Sequence, residues 1–257
     1  MNPLKAIAII PARYHSTRFP GKPLVVINQK PMIQHVYERV CLATRVEGVI
    51  VATDDDRILR AVEGFGGKAW MTSPGHTSGT DRVAEVACQQ EADLIVNVQG
   101  DEPFIDPGCI DAMIEPFDTE SGLMISTLCH PITLEDDLNN PNIVKVVTDL
   151  KGFALYFSRS PIPYSSRSNL ILKNPSVFKR HMGLYTYRKA FLEQLNSLEE
   201  SALEKTETLE QLRFLENGYR IKVINTDYQP LAVDTPDDLG RINKLLKEQS
   251  WQQNSSL

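Results

Sequence analysis

The residues best suited to chemistry fall in a few loops. The segment from Pro11 to Pro23 carries Arg13, Arg18 and Lys22 directly after the apolar run Ala6 to Ile10. Residues 1–30 hold five basic side chains, Lys5, Arg13, Arg18, Lys22 and Lys30, and no acidic one. The whole chain has a formal net charge of −6, so this is a local concentration of cations. Arg gives bidentate bonds to phosphate oxygens and Lys a mobile point charge, so a basic loop after a buried strand suits a triphosphate. The bland alternative is a solvated basic loop. The loop has neither the GxxxxGK[ST] spacing of a P-loop nor the GxGxxG of a dinucleotide site.

A second loop, Val98-Gln-Gly-Asp-Glu-Pro103, follows the apolar run Leu94 to Val98. Asp101 there would offer a hard oxygen ligand to Mg²⁺, which keeps waters and takes one or two carboxylates plus substrate phosphates. Otherwise Asp101 or Glu102 caps the next helix. In Val233-Asp-Thr-Pro-Asp-Asp-Leu239, Thr235 is a good helix N-cap with Pro236 at the first helical position. Asp234 is then free to be a second metal carboxylate or an ordinary turn residue. The stretch His76-Thr-Ser-Gly-Thr-Asp-Arg82 leads hydroxyls and Gly79 into a helix whose first amides can bind polar groups, unless it is only a capped turn. Arg82 falls in the first turn, where the helix dipole disfavours a cation, so another group should hold it.

These loops need a frame. Ala6–Ile10, Gly48–Ala52, Ala69–Met71 and Leu94–Val98 read as short buried strands. Between them Ile33, Val36, Tyr37 and Val40, then Ile58, Leu59 and Val62, then Val83, Val86 and Ala87 have helical spacing. That alternation predicts a doubly wound α/β fold with a mostly parallel sheet and ligands outside the strands' carboxyl ends. The second half is less regular. Residues 122–132, 143–150 and 154–158 read as antiparallel strands, 207–216 as one helix, 220–226 as a strand and 236–247 as the last helix. A single domain spanning 1–257 is expected, with an embedded α+β lobe around 125–225 and a disordered tail from 248 to 257.

Composition excludes much else. Hydrophobic residues are 42% and charged residues 23% of 257, which is ordinary for a soluble domain. The acidic balance argues against nucleic acid as a partner. No apolar run approaches the roughly 20 residues that cross a bilayer, so no membrane span is expected. Cys41, Cys88, Cys109 and Cys129 form no CxxC pair and read as scattered reduced core thiols of a cytoplasmic protein.

The motifs IPARYHSTRFPGKPL, HTSGTDR, VNVQGDEP, ALYFSR, RHMGLYTYR, ETLEQLRFLENG and VDTPDDL occur in this order. From Lys5 to Lys247 the chain resembles the 3-deoxy-manno-octulosonate cytidylyltransferases, also called CMP-Kdo synthetases. The resemblance implies the nucleotidyltransferase fold, a cytoplasmic location, Mg²⁺ and a homodimer. It implies transfer of CMP from CTP to the acidic eight-carbon sugar Kdo, with release of pyrophosphate, for lipopolysaccharide synthesis. It places Arg13, Arg18 and Lys22 on the CTP phosphates, Ser78, Thr80 and Arg82 by the cytidine, and Gln99 by the ribose or base. Asp101 and Asp234 become the Mg²⁺ carboxylates. Arg159, His181, Tyr185, Glu210 and Gln211 become the Kdo pocket.

The sugar's carboxylate needs a cationic clamp, for which Arg159 and His181 are the expected pair. Glu210 and Gln211, expected mid-helix, would bond sugar hydroxyls. Two rivals remain. One is a cytidylyltransferase for a sialic-acid-like sugar, whose first loop would more often resemble RGGSKGIPxKN. The other is a non-catalytic nucleotide- or sugar-sensing module on the same fold.

Overall fold

A computed structural model describes residues 4–15, 19–165, 176–195, 197–233 and 235–244. Arg18, Asp234 and the expected 248–257 tail lie outside the described residues. In chain order the elements are β1 (Ala6–Ala12), β2 (Val26–Ile27), β3 (Lys30–Pro31), α1 (Met32–Val40), β4 (Gly48–Thr53), α2 (Asp56–Gly64), β5 (Ala69–Met71) and α3 (Gly79–Cys88). Then come β6 (Leu94–Asn97), α4 (Pro107–Ile114), β7 (Ile125–Pro131), α5 (Glu135–Asn139), β8 (Lys145–Thr148) and β9 (Ala154–Ser158). The chain continues with β10 (Lys179–Arg188), α6 (Lys189–Leu195), α7 (Ala202–Glu207), α8 (Gln211–Glu216) and β11 (Ile221–Asn225). A further helix covers 236–244. The chain divides into two compact units, one of residues 7–90, 97–107 and 230–257, the other of residues 1–6, 91–96 and 108–229.

In the first unit β4 pairs in parallel with both β1 and β5, with Ile9 opposite Ile50 and Val51 opposite Ala69. This is the parallel αβ alternation expected from the sequence. Ile9, Ile10 and Val51 have no exposed surface, because each is buried on a sheet covered by helices. Helix α1 buries Met32, Ile33, Val36 and Val40, one stripe of a 3.6-residue period. The side chain of Asp55 caps α2 by accepting from the Arg57 amide at 2.9 Å. The β2–β3 hairpin turns through Asn28 and Gln29, both with positive φ, the backbone a two-residue hairpin turn demands. A second core of Ile27, Met32, Val233 and Ile242 joins this hairpin to the C-terminal helix.

In the second unit β7 runs antiparallel to β10 and parallel to β11. Strands β8 and β9 form a hairpin, and β8 also pairs antiparallel with β10. The ten-residue β10 is absent from the expectation, because its mixed run KRHMGLYTYR has no clean alternation. The expected helix over 207–216 begins only at Gln211, and a separate short helix, α7, ends at Glu207. Thr208 takes the left-handed conformation (φ 56°), which ends α7 before α8 begins. The expected core thiols are half right: Cys109 and Cys129 are buried, whereas Cys41 and Cys88 are exposed. Among the described residues no helix is long and apolar enough to cross a membrane.

Candidate functional site

The first unit contains a cavity of about 300 Å³ at the carboxyl ends of its strands. Its wall comes from residues 11–13 at the end of β1, 22–23, 76–79 with Arg82, and 99–101 after β6. The basic loop reaches this wall because it doubles back. The Gly21 amide donates to the Tyr14 carbonyl at 2.9 Å. Gly21 has φ 72°, and a Cβ there would press to 3.2 Å from the Tyr14 ring, so glycine is required on both counts. Gly100 is fixed by contact rather than by φ. A Cβ there would lie 3.0 Å from the Pro11 carbonyl oxygen.

Three cations face this cavity, in different states. Arg13 is exposed and has no hydrogen bond or ion pair among the described residues. The Lys22 ammonium donates to Asp101 at 2.7 Å, both side chains being partly shielded. The Arg82 guanidinium donates to Asp54 at 2.7 Å and to the Thr72 hydroxyl. That hydroxyl in turn donates to the Thr53 carbonyl at 3.0 Å. The partner that the helix dipole required for Arg82 is therefore supplied by the loops after β4 and β5.

The 76–82 segment is both a capped turn and a cavity wall. Ser78 caps α3, accepting from the Asp81 amide at 3.0 Å, while the Asp81 carboxylate accepts from the Ser78 amide at 3.1 Å. The N-terminus of this ten-residue helix thus opens on the cavity, a favourable place for an anion. Gln99 lines the wall; Thr80 is buried and lies outside it.

His76, which has no role in the sequence-based expectation, also lines the wall, and its Nε2 is bound to the Glu85 carboxylate. Burial works to raise the Glu85 carboxyl. Hydrogen bonds from His76 and the Ser73 amide, with the charge of Arg82, outweigh it and hold the group below its usual range. The available signal was a histidine at the head of the turn and a glutamate nine positions on, inside α3.

Among the described residues no cluster of three or more His, Cys, Asp or Glu side chains could hold a metal alone. The donor chemistry of Asp101 nevertheless fits Mg²⁺, a cation that takes few protein carboxylates and completes its shell with water and phosphate oxygens. Val233, the chain neighbour of Asp234, donates its amide to the Asp101 carbonyl at 3.0 Å. Thr235 caps the last helix reciprocally with Asp238, as expected, which leaves that duty off residue 234.

The second unit gathers the other five expected residues. His181 is buried on β10, its ring edge-on to Phe157 at 4.9 Å and tilted against Tyr185 at 5.5 Å. The Thr127 hydroxyl lies 2.6 Å from the Leu184 carbonyl and 3.0 Å from His181 Nε2. Donating to that carbonyl, it must accept from the His181 Nε2–H. Burial pushes the His181 pKa down to about 3. Without a ligand, burial thus works against the imidazolium that a cationic clamp needs, because desolvation penalises the charge and no carboxylate among the described residues offsets it. Burial, with the Glu210 charge nearby, raises the Tyr185 phenol well above its usual value.

Arg159 is half-buried and donates to three carbonyls, Glu207 at 2.8 Å, Pro141 at 3.0 Å and Thr208 at 3.3 Å. Glu210 and Gln211 stand at the start of α8, not mid-helix, because the chain breaks at Thr208.

A parallel α/β unit with a cation-lined cavity at its strand ends is the arrangement of a nucleotide-binding protein of the nucleotidyltransferase type. The cytidylyltransferase family model matches residues 7–222. The 3-deoxy-manno-octulosonate cytidylyltransferase of Geotalea daltonii is 53% identical over 95% of this chain and 99% of its own. That of Solibacter usitatus is 49% identical over 95% and 96%. A solved CMP:2-keto-3-deoxy-manno-octonic acid synthetase complexed with CTP superposes with a TM-score of 0.89 at 43% identity, covering 95% of this chain and 99% of that one. The chain belongs to the cytidylyltransferase family, among its 3-deoxy-manno-octulosonate cytidylyltransferases. A 4-diphosphocytidyl-2C-methyl-D-erythritol synthase from Anaerococcus prevotii, 16% identical with a TM-score of 0.64 over 96% of this chain and 100% of that one, shares the fold.

Proposed function

We propose that this protein transfers CMP from CTP to the anomeric 2-hydroxyl of Kdo, releasing pyrophosphate and CMP-Kdo for lipopolysaccharide synthesis. The observation that carries the reading is the cavity wall. An Arg13 with no partner among the described residues, a Lys22 paired with the Asp101 carboxylate, and the open N-terminus of α3 all offer positive potential to one small volume. CTP fills it with its phosphates toward Arg13, Arg18 and Lys22 and its cytidine toward Ser78, Arg82 and Gln99. Thr80 serves from behind, as part of the α3 packing.

The Kdo hydroxyl attacks the α-phosphorus in line, and no covalent enzyme intermediate forms. The protein's task is to position both substrates and to neutralise charge. Asp101 and Asp234 would hold Mg²⁺, which when bound polarises phosphate oxygens and lowers the pKa of a ligated hydroxyl. Lys22 leaves Asp101 for the triphosphate, so one side chain moves from an internal counter-charge to a substrate charge. On the sugar side the uncommitted part of the Arg159 fork faces the Kdo carboxylate. Neutral His181, Tyr185, Glu210 and Gln211 exchange hydrogen bonds with its hydroxyls. The enzyme works as a homodimer in the cytoplasm.

The test is release of pyrophosphate on incubation with CTP, Mg²⁺ and a panel of acidic sugars. Release with Kdo and not with a sialic acid is the expected result. Release with the sialic acid alone would assign the rival sugar, and CTP binding without any release would make the protein a sensor. Sedimentation at micromolar concentration checks the dimer.

A further inference from the structure

Lys145 is a fully buried lysine that no step above uses. It lies on β8, opposite Ser158 of β9 and Arg180 of β10. Its ammonium donates to three main-chain carbonyls, Asn140 at 3.0 Å, Ile143 at 2.6 Å, and Arg159. An ammonium has three donors and no acceptor, so these bonds saturate it. Burial lowers its pKa, against the charge of Glu207.

The carbonyl of Arg159 is therefore held by Lys145. The amide of the same residue donates to the Glu207 carboxylate at 2.8 Å, which also accepts from the Ser158 hydroxyl at 2.6 Å. The Arg159 guanidinium then spans Pro141, Glu207 and Thr208. Every polar group of Arg159 is thus committed in whole or part to joining residues 140–143, the end of β9, and the end of α7. Thr208 is the left-handed break, and Glu210 and Gln211 follow it after Leu209 alone.

We propose that Lys145 is a positioning residue for the sugar: through the Arg159 carbonyl it sets the 207–211 segment and so the places of Glu210 and Gln211. Removing the ammonium strands the Asn140, Ile143 and Arg159 carbonyls and so costs stability whether or not the lysine sets position. The positioning role is therefore read from the two KM values and from exchange at 207–211, not from Tm. The inference rests on the reading of Arg159, Glu210 and Gln211 as sugar contacts.

The test is Lys145→Met in the full-length enzyme, with steady-state kinetics for both substrates and amide hydrogen exchange. The expected result is a KM for Kdo raised about tenfold or more, a KM for CTP changed less than about twofold, and faster exchange at 207–211. An unchanged KM for Kdo, an equal rise in both KM values, or unchanged exchange at 207–211 would overturn it. If Lys145→Met does not fold, Glu207→Ala removes the other hold on the Arg159 main chain and is read by the same two measurements. Glu210→Gln and Gln211→Ala separate the two layers. If they leave the KM for Kdo at the wild-type value, the sugar assignment fails, while exchange at 207–211 still decides whether Lys145 orders that segment.

Discussion

The Arg82–Asp54 pair makes an asymmetric prediction. The Arg82 side chain is 4% exposed and that of Asp54 18%. Asp54→Asn leaves a guanidinium deep in the protein with Thr72 and, as counter-charge, only Glu85, to which it has no direct bond. Stranding one member of a buried pair costs about 3–5 kcal/mol, and the acceptor that Asn retains favours the lower end. Arg82→Met strands the more exposed member, which rehydrates, and the methionine refills the space, so about 1–2 kcal/mol is expected. At about 2–4 °C per kcal/mol for a chain of this size, the Tm should fall about 6–12 °C in the first case and about 2–8 °C in the second.

The double variant strands no charge. It should therefore be more stable than Asp54→Asn alone, with a coupling energy of about 1.5–3 kcal/mol from the cycle. CTP affinity, read by calorimetry, should follow Arg82, which lines the cavity, rather than Asp54, which does not. Additive losses, or a double variant weaker than Asp54→Asn, would refute the reasoning.

The remaining outcomes concern single residues. Arg13→Ala should raise the KM for CTP about tenfold or more, since a charge-assisted phosphate bond is lost, with no change in Tm, because the side chain is exposed and has no partner among the described residues. Asp101→Asn and Asp234→Asn should each lower kcat by about 10²–10³, and the double variant should be little worse, as for groups acting as one unit; losses that multiply would separate the two carboxylates. The His181 pKa lies near 3 in the folded protein and at the ordinary 6.5 once unfolded. Its neutral form stabilises the fold fully above pH 6.5, and that contribution is lost as pH falls toward 3. Between pH 7 and 5 the wild type should therefore lose about 2 kcal/mol more than His181→Gln in urea titrations, and equal losses would show that the ring is not held neutral.

The first unit was legible because its signals are local. Runs such as Gly48–Thr53 and the stripe Met32, Ile33, Val36 and Val40 declare their partners by period alone. The basic loop could be assigned because cations without acidic neighbours are informative wherever they fold. Thr208 was not legible: a β-branched residue in the left-handed region is fixed by its surroundings, not by propensity. The burial of His181 was not legible for a related reason. Its charge state depends on Phe157, Tyr185 and Thr127, two of which are distant in sequence. His76 and Glu85 stood in plain view on either side of a helix cap, but their contact depends on how the turn closes over α3.

Each unit is assembled from three separated stretches of chain, and the first includes the last residues described. Val233 and Ile242 close the core begun by Ile27 and Met32, and the Val233 amide secures the Asp101 loop. On the ribosome, a nascent chain that has already exposed β1, β4 and β5 must wait for residues 233–242 to be synthesised before this core can shut. The Asp101 loop thereby gains the Val233 hydrogen bond more than 130 residues after it is made. A chain stalled or clipped before position 233 would keep the basic loop while lacking the partners that complete its core, which makes it a substrate for proteolysis rather than a partial enzyme.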